Sequence, residues 1–380
     1  DQASIKVKQI RLPFPVPIGR RSFSETLWLH LSDEENAQGP HMELGGTTGY
    51  GKSVLLETYV TAMAIEHPPQ FLSFLLFDFK GGNTFEPFRR LPHTVGMITN
   101  LDPTSGGSAE IEAQRALVAL SAERRRRETI LRGYKDIHDY YRQTLIEQEI
   151  PLENWQALPF LIVIVDEFAE LLRQMPAFLK ELVSTVRLGR SSGMHLILAT
   201  QNPAADVSTD IRSNLKSHIL LRVNAETDSQ TVIKTIAAAR INTKGRAFIQ
   251  SGSEAAVEFQ TASCRNLYQP QDDILETLEV LLRDTERLIQ PNYVRHPTSI
   301  RSTSVLHAVI DAIEVINQTR TVPAVSKILP PSLPANLILD EILADESNAW
   351  DAVLSKWRVP NIGPQTVSYT HLTLPTNREV

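Results

Sequence analysis

Cysteine and long apolar runs are what this 380-residue sequence has least of. Cys264 is its one cysteine, which excludes an intramolecular disulfide and a cysteine-rich metal site and fits a reducing cytoplasm. The sequence has no run of the roughly 18–20 apolar residues that span a bilayer, and it does not open with a charged start and an apolar core, as a signal peptide would. Because it begins with Asp1 rather than Met, we expect a fragment of a longer protein.

The sequence also lacks an excess of basic residues. It contains 38 Lys and Arg against 44 Asp and Glu, and its net charge is −6. This balance disfavours a strongly basic nucleic-acid-binding surface, although a local basic stripe is compatible with it. The arginines at 124–127 would be such a stripe, but acidic residues accompany them at Glu110, Glu112, Glu123 and Glu128. We therefore expect a solvated, mutually screened helix face there rather than a DNA contact.

Short β-rich apolar runs alternate with stretches of helical spacing between residues 46 and 262. The runs are residues 73–79, 95–99, 161–165, 194–200 and 218–223. Such alternation predicts an α/β fold in which a mostly parallel sheet is flanked by helices. A last strand at 253–261 would pair with residues 245–249.

Composition divides the chain into five parts: a strand-rich lead-in at 1–45, a core at 46–265, a helical appendage at 266–320, a Pro-rich linker at 321–366 and a tail at 367–380. The appendage has helical periodicity at 272–289 and 304–316. Within the linker, VPNIG at 359–363 echoes VPIG at 16–19 and suggests the start of a second module. The tail resembles translated sequencing adapter, so we set it aside as non-native; a disordered natural tail is the alternative.

Residues 46–53 match the whole phosphate-loop pattern G-x-x-x-x-G-K-[ST]. We therefore expect nucleotide phosphates at Gly46, Thr47, Thr48, Gly49, Tyr50, Gly51, Lys52, Ser53 and Val54. The glycines let the backbone turn tightly and aim its N–H groups at phosphate oxygens. Lys52 would neutralise the β- and γ-phosphates, the Ser53 hydroxyl would bind Mg²⁺, and the helix that begins here adds its positive end. A purely structural glycine turn is the alternative, against which the Lys-Ser ending argues.

An acid pair, Asp166 and Glu167, follows the apolar run at 160–165. Asp166 would order the Mg²⁺ ion, as the corresponding aspartate does in P-loop NTPases. Glu167 would polarise the attacking water as a general base. Gln201 follows another buried run and would sense the γ-phosphate or orient the water, because parallel strands end at one shared crevice. A solvated strand end is the alternative for Gln201.

With these elements present, the sequence resembles the FtsK/SpoIIIE class of ring-forming ATPases, and within it the EccC/EssC ATPase modules of type VII secretion motors. The resemblance covers residues 15–261 and extends more loosely to 342. It is carried by Phe85 and by residues 17–19, 39–41, 46–53, 77–82, 91–93, 98–100, 165–168, 187–191 and 245–248.

Residues 78–82, Asp-Phe-Lys-Gly-Gly, match the secretion branch of this class, whereas DNA-pumping members usually carry Asp-Pro-Lys there. The resemblance therefore favours protein over DNA as the cargo. It also implies a trans-acting arginine that a neighbouring subunit inserts toward the γ-phosphate. Arg190 stands at the matching position, with Arg187 as the alternative, and either arginine could instead be an ordinary surface residue.

The resemblance further implies a doubly wound, RecA-like module that binds ATP and Mg²⁺ and assembles with its own copies into a ring, expected to be a hexamer. Its partners would be neighbouring ATPase modules, the membrane parts of a secretion complex and secreted protein, at the cytoplasmic face of a bacterial inner membrane. Two alternatives stay open: an FtsK-like double-stranded DNA translocase, and a nucleotide-binding regulatory module with little hydrolysis.

Two departures from the family pattern affect the site. Tyr50 replaces the small residue that the family usually has inside the phosphate loop, so its ring must point away from the nucleotide or stack near it. Residues 235–242 lack the Leu-Gly-x-Pro-Asp pattern often found there, so no contact is carried over to that segment.

Overall fold

The structure, a computed structural model, describes residues 15–32, 37–79, 84–99, 109–151, 154–169, 176–268, 303–319, 325–329, 350–351 and 356–357. The strands are β1 (Val16–Arg20), β2 (Thr26–Leu29), β3 (His41–Gly45), β4 (Leu72–Asp78), β5 (Thr94–Thr99), β6 (Phe160–Asp166), β7 (Met194–Thr200), β8 (Ser217–Leu220), β9 (Arg246–Ser251), β10 (Val257–Thr261), β11 (Trp350–Asp351) and β12 (Lys356–Trp357). The α-helices are α1 (Lys52–Glu66), α2 (Ala109–Ile130), α3 (Ile137–Tyr141), α4 (Pro176–Leu188), α5 (Pro203–Asp206), α6 (Thr209–Arg212), α7 (Glu226–Ile233) and α8 (Val305–Thr319). Among the helices of these residues, none is long and apolar enough to cross a membrane.

A 10-stranded sheet organises the chain, in the order β2-β1-β10-β9-β8-β3-β7-β6-β4-β5. The strands from β8 to β5 pair in parallel, with β3 between β7 and β8. On the other side of β8 the pairing is antiparallel, through β9, β10, β1 and β2. The predicted α/β class with a mostly parallel sheet is confirmed. The predicted pairing of the strand at 253–261 with residues 245–249 is also confirmed, as the pair β10 and β9.

Apolar side chains of the central strands divide into two cores, one on each face of the sheet. Ile162 and Ile164 of β6 belong to the core that includes α1. Leu161, Val163 and Val165 of the same strand belong to the opposite core, with residues of α2 and α4. Because successive strand residues point to opposite faces, a continuous apolar run such as β6 requires cover on both sides. This is why the parallel part of the sheet lies between helices.

Strands of the lead-in join the same sheet as the core. Pro17 lies in β1 opposite Trp28 of β2, and the pairing register shifts between Pro17 and Gly19. Such an irregularity is where a sheet tolerates proline, which has no N–H to donate. β2 and β5 are the two edge strands of the sheet, and β1 lies between β2 and β10.

Helix α8 packs against α1, and it confirms the helix predicted at 304–316. Leu306 and Ile310 are buried in the core that includes α1. Arg90 pairs with Asp311 at 3.0 Å and also with Glu314. The predicted helix at 272–289, the VPNIG segment at 359–363 and the tail at 367–380 lie outside the described residues.

The prediction of a solvated face for the arginines at 124–127 is wrong for Arg127, although Arg125 is exposed. The Arg127 side chain is fully buried and forms an ion pair with Glu123 at 2.8 Å. Its guanidinium also donates to the carbonyl oxygens of Ser192, at 2.8 Å, and Pro159, at 2.6 Å. Charge patterning identified the acidic partner correctly, but it did not reveal the two carbonyl acceptors that make burial of this arginine tolerable.

Candidate nucleotide-binding site

The phosphate loop follows β3 at the carboxyl edge of the parallel strands and is tied to the strands on both sides. Gly46 N–H donates to the carbonyl oxygen of Thr200, at the end of β7, at 3.2 Å. Thr47 N–H donates to the carbonyl oxygen of Arg222, just beyond β8, at 2.8 Å. The loop therefore lies at the crevice where parallel strands of an α/β sheet bind their ligands.

Two glycines give the loop its shape. Gly49 and Gly51 have φ angles of 86° and 108°, which lie in a region that residues with a Cβ rarely adopt. Gly51 is the residue before α1, and the first turn of that helix has no acidic side chain. The positive end of the helix dipole is therefore directed at the loop, and α1 itself contributes no carboxylate there that would compete with an anion.

Lys52 connects the phosphate loop to the acid pair. Its Nζ lies 2.7 Å from Asp166 Oδ1 and 3.1 Å from Glu167 Oε2. All three side chains are nearly buried, with exposed fractions of 9%, 5% and 12%. Burial raises the pKa of Asp166, and the Lys52 ammonium opposes that shift. A cation and two carboxylates thus meet where the γ-phosphate of a nucleotide in this loop would lie.

Glu167 is held in an unusual backbone conformation. Its φ angle is 54°, one of few positive values for a residue other than glycine among the described residues, and its N–H donates to the carbonyl oxygen of Ala199 at 2.9 Å. Such strained positions persist where the surrounding structure fixes them, and they occur frequently at active sites. In this conformation the Glu167 carboxylate contacts Gln201, the residue that follows β7.

Gln201 lies within this cluster, as its position after β7 predicts. Its Nε2 donates to Glu167 Oε2 at 2.7 Å, and its Oε1 accepts from the Thr48 hydroxyl at 2.7 Å. The side chain therefore bridges the phosphate loop and the acid pair. This geometry suits a group that responds to the γ-phosphate and orients a water beside Glu167.

Thr84 is a site residue that the sequence analysis missed. Its hydroxyl lies 3.4 Å from Ser53 Oγ and 3.3 Å from Asp166 Oδ2. Its N–H donates to Asp78 Oδ2 at 3.0 Å, which positions the residue after β4. Its one sequence signal is a hydroxyl residue close behind the Asp78 strand end, and many surface loops show the same feature.

The oxygen groups around Ser53 suit Mg²⁺. Hydroxyl and carboxylate oxygens are the ligands that this small, hard cation prefers, and it usually takes few of them because nucleotide phosphates supply others. In the described part of the chain, no three His, Cys, Asp or Glu side chains form a metal-binding group of their own. Ser53 and Asp166 fit the role of holding Mg²⁺ together with a nucleotide.

Tyr50 and Gly46 are the members of the predicted loop set that do not line the cavity beside the loop, whereas Val54 does. The Arg222 guanidinium carbon lies 5.1 Å from the centroid of the Tyr50 ring. The backbone carbonyl oxygen of Tyr50 accepts from Gly245 N–H at 3.0 Å. Of the two positions open to this ring, the structure shows the one directed away from the phosphates. A cation–π contact of this kind stabilises the outer side of the loop.

Arg190 lies far from the phosphate loop of its own chain. It is exposed in a short turn, Arg190–Ser192, that precedes β7, whereas the loop follows the parallel strand β3 at its carboxyl end. Arg190 therefore lies at the amino ends of the parallel strands and the phosphate loop lies at their carboxyl ends. The length of β7 separates them, about 20 Å at the usual rise per residue of a strand. Arg187, the alternative, is also exposed and lies in the last turn of α4. Neither arginine contacts the acid pair within one chain.

Thr84→Ala is expected to weaken the Mg²⁺ dependence of nucleotide binding. Without the hydroxyl, Ser53 and Asp166 lose a shared neighbour that orients them, and such outer contacts typically change metal affinity by about 10-fold or more. Binding of ATP is measured by calorimetry at increasing Mg²⁺ concentrations. Thr84→Ser, which keeps the hydroxyl, is the matched control and should behave like the unaltered chain. Equal Mg²⁺ dependence for both variants would refute this role.

In P-loop ATPases, parallel strands bring a glycine-rich loop, a lysine and an Asp-Glu pair together at their carboxyl ends. This chain has the fold and the site of that class. The model of the FtsK/SpoIIIE family matches residues 6–205, more than half of the sequence. The chain belongs to this family.

Relatives and solved structures agree with that assignment. The chain is 38% identical over 336 residues to the type VII secretion system protein EssC of Staphylococcus aureus, covering 86% of this chain and 22% of EssC. It is 40% identical over 253 residues to the ESX secretion system protein YukB of Bacillus subtilis, covering 65% of this chain and 16% of YukB. The chain therefore spans about a fifth of the length of these relatives.

Two solved structures share the fold. The cytoplasmic domain of the type VII secretion ATPase EccC of Thermomonospora curvata matches with a TM-score of 0.68 and 30% identity, over 87% of this chain and 34% of that one. The conjugation coupling protein TcpA of pCW3, solved with ATPγS, matches with a TM-score of 0.51 and 25% identity, over 66% of each chain.

Proposed function

We propose that this chain binds MgATP and hydrolyses it as one module of a ring-forming motor that exports protein through a type VII-like secretion system. The observation that carries the proposal is the buried contact of Lys52 with both Asp166 and Glu167 beside a complete phosphate loop. The likeness to EssC and YukB supports the assignment to secretion.

Each group in the cluster has a distinct role in the proposed reaction. The loop N–H groups and Lys52 hold the β- and γ-phosphates, for which Lys52 exchanges its carboxylate partners for phosphate oxygens. Ser53 and Asp166 hold Mg²⁺, which supplies positive charge against the phosphate oxygens when bound. Glu167 accepts the proton of the attacking water, and Gln201 orients that water.

Arg190 acts in trans in this proposal. Arg190 is exposed and lies at the amino ends of the parallel strands, whereas its own phosphate loop lies at their carboxyl ends. This position suits a group that a neighbouring copy presents to the γ-phosphate. A positive charge at that point stabilises the charge that develops on the transferred phosphoryl group. The composite site requires self-association into a ring, for which we propose a hexamer.

Protein is the proposed cargo, and the module would work at the cytoplasmic face of a bacterial inner membrane, beside other ATPase modules and the membrane parts of a secretion complex. The Asp-Phe-Lys-Gly-Gly element at 78–82 and the net charge of −6 favour protein. DNA translocation remains the second candidate because TcpA, a conjugation coupling protein, shares the fold at 25% identity.

ATPase stimulation distinguishes these functions. The full-length product of the reading frame that encodes this chain is reconstituted in lipid nanodiscs, and ADP release is measured with a secreted substrate protein or with double-stranded DNA. We expect stimulation by the protein and none by DNA, with Lys52→Ala as the control that abolishes this module's contribution. Stimulation by DNA alone, weakening as salt rises, would identify a DNA translocase. Tight ATP binding without ADP release would identify a regulatory nucleotide-binding module.

A further inference from the structure

The cavity beside the phosphate loop extends beyond the groups that would hold phosphates and metal. Its far wall consists of residues that precede β9 and of residues at and after the end of β10: Lys244, Gly245, Gln260, Thr261, Ser263 and Arg265. Gly245 lies directly against the loop, since a Cβ on Gly51 would meet Gly245 Cα at 3.4 Å. This wall is therefore continuous with the phosphate site.

The polarity of the site determines which part of a nucleotide faces this wall. Asp166, Glu167 and Gln201 surround the γ-phosphate end, and the loop N–H groups take the phosphates between. A nucleoside attached to those phosphates must then extend toward the wall on the other side. None of the described residues that line the cavity has an aromatic ring, so a base has no aromatic side chain to stack on.

Arg265 supplies a planar group on this wall. Its Nε and Nη2 donate to the two carboxylate oxygens of Glu57, both at 2.6 Å. Glu57 belongs to α1 and is 4% exposed, whereas Arg265 is 53% exposed. The two-point contact fixes the guanidinium along one edge, and about half of the Arg265 side chain remains accessible to a ligand. The plane of an arginine fixed in this way can stack on a π system, whereas the ammonium of a lysine is a compact charge that has no plane to stack.

The other polar groups of the wall are less suited to reading a base. Gln260 donates from Nε2 to the carbonyl oxygen of Lys244 at 3.1 Å, and its Oε1 accepts from Arg246 at 3.2 Å. Both ends of its amide are therefore occupied. The backbone that carries Arg265 is held to α1 as well, because Cys264 N–H donates to the Thr58 hydroxyl at 3.2 Å.

We propose that the Glu57–Arg265 pair forms the platform on which the base of the bound nucleotide stacks. This inference rests on the proposed function and adds the nucleoside end of the same site. Stacking on a guanidinium uses the π face that every base has, so the platform contributes affinity for a nucleoside triphosphate in general and not for adenine alone. Inorganic triphosphate, which has no base, gains nothing from it.

The difference between these two ligands provides the test. Binding of MgATP and of magnesium tripolyphosphate to the 380-residue chain is measured by calorimetry for the unaltered chain and for Arg265→Ala and Arg265→Lys. We expect Arg265→Ala to weaken MgATP binding about 10-fold, the range of a desolvated cation–π contact, and to leave tripolyphosphate binding unchanged. Arg265→Lys keeps the charge without the plane and should lose most of the same affinity.

Three outcomes would overturn the proposal or its basis. Equal losses for both ligands would show that Arg265 acts on the phosphates through its charge, and no loss for either would show that the base lies elsewhere. Failure of the unaltered chain to bind MgATP would refute the proposed function itself. If Arg265→Ala does not fold because Glu57 loses its partner, the double variant Glu57→Gln with Arg265→Met removes both charges and should show the same selective loss.

Discussion

Glu167→Gln is expected to lower the rate of ATP hydrolysis by at least about 100-fold while MgATP still binds with an affinity similar to that of the unaltered protein. General-base catalysis typically contributes a factor of this size. The amide keeps an oxygen for the contacts that Lys52 and Gln201 make with Glu167 Oε2, but it cannot accept the proton of the water. Removing a negative charge beside the triphosphate does not oppose binding.

Turnover is measured as phosphate release by the assembled full-length protein, and affinity by calorimetry. Glu181→Gln is the matched control, since Glu181 is an exposed glutamate of α4 and lies outside the cavity. The control should hydrolyse ATP at the unaltered rate. Undiminished turnover in Glu167→Gln would remove Glu167 from the role of base, and loss of ATP binding would show that its charge mainly positions Lys52.

Arg127→Ala is expected to reduce the free energy of unfolding by about 3–5 kcal/mol, the usual cost of breaking a buried ion pair by removing one partner. The change leaves Glu123 at 4% side-chain exposure and leaves the carbonyl oxygens of Pro159 and Ser192 without this donor. Arg126 also pairs with Glu123, at 2.7 Å, so we expect the lower half of that range.

Urea unfolding measures this loss as a lower midpoint with an unchanged slope. Arg125→Ala, an exposed neighbour on the same helix, is the control and should change stability by less than about 0.5 kcal/mol. A loss below about 1 kcal/mol in Arg127→Ala would contradict the structural role.

Arg127 also donates to Ser192, in the turn that carries Arg190. The rate of ATP hydrolysis by the assembled variant therefore tests whether this turn needs that contact.

Much of the phosphate site could be predicted because the residues that form it are neighbours in the sequence. Residues 46–53 are consecutive, and their loop geometry follows from the glycines and from the helix that begins at Lys52. Asp166 and Glu167 directly follow the apolar run at 160–165, which is typical of a buried strand. The alternation of such runs with helical segments was enough for the fold class, since parallel strands require crossovers.

Other parts of the site depend on residues that are distant in the sequence. Thr84 is 31 residues from Ser53 and 82 from Asp166, and Arg265 is 208 from Glu57. A threonine or an arginine has the same local pattern whether it lines a cavity or a surface loop. The burial of Arg127 was missed for the same reason, because its carbonyl acceptors lie 32 and 65 residues after it in the sequence.

The sequence by itself determined the chemistry of the phosphate loop, the acid pair and the class of sheet, because each depends on neighbouring residues and on backbone periodicity. Tertiary structure decided which way the Tyr50 ring points and which hydroxyl lies beside Ser53. It also decided that Arg190 lies at the opposite ends of the parallel strands from its own loop. These features arise from packing between segments remote in the chain. Their energies depend on distance, burial and orientation, which only the folded arrangement of the strands and helices specifies.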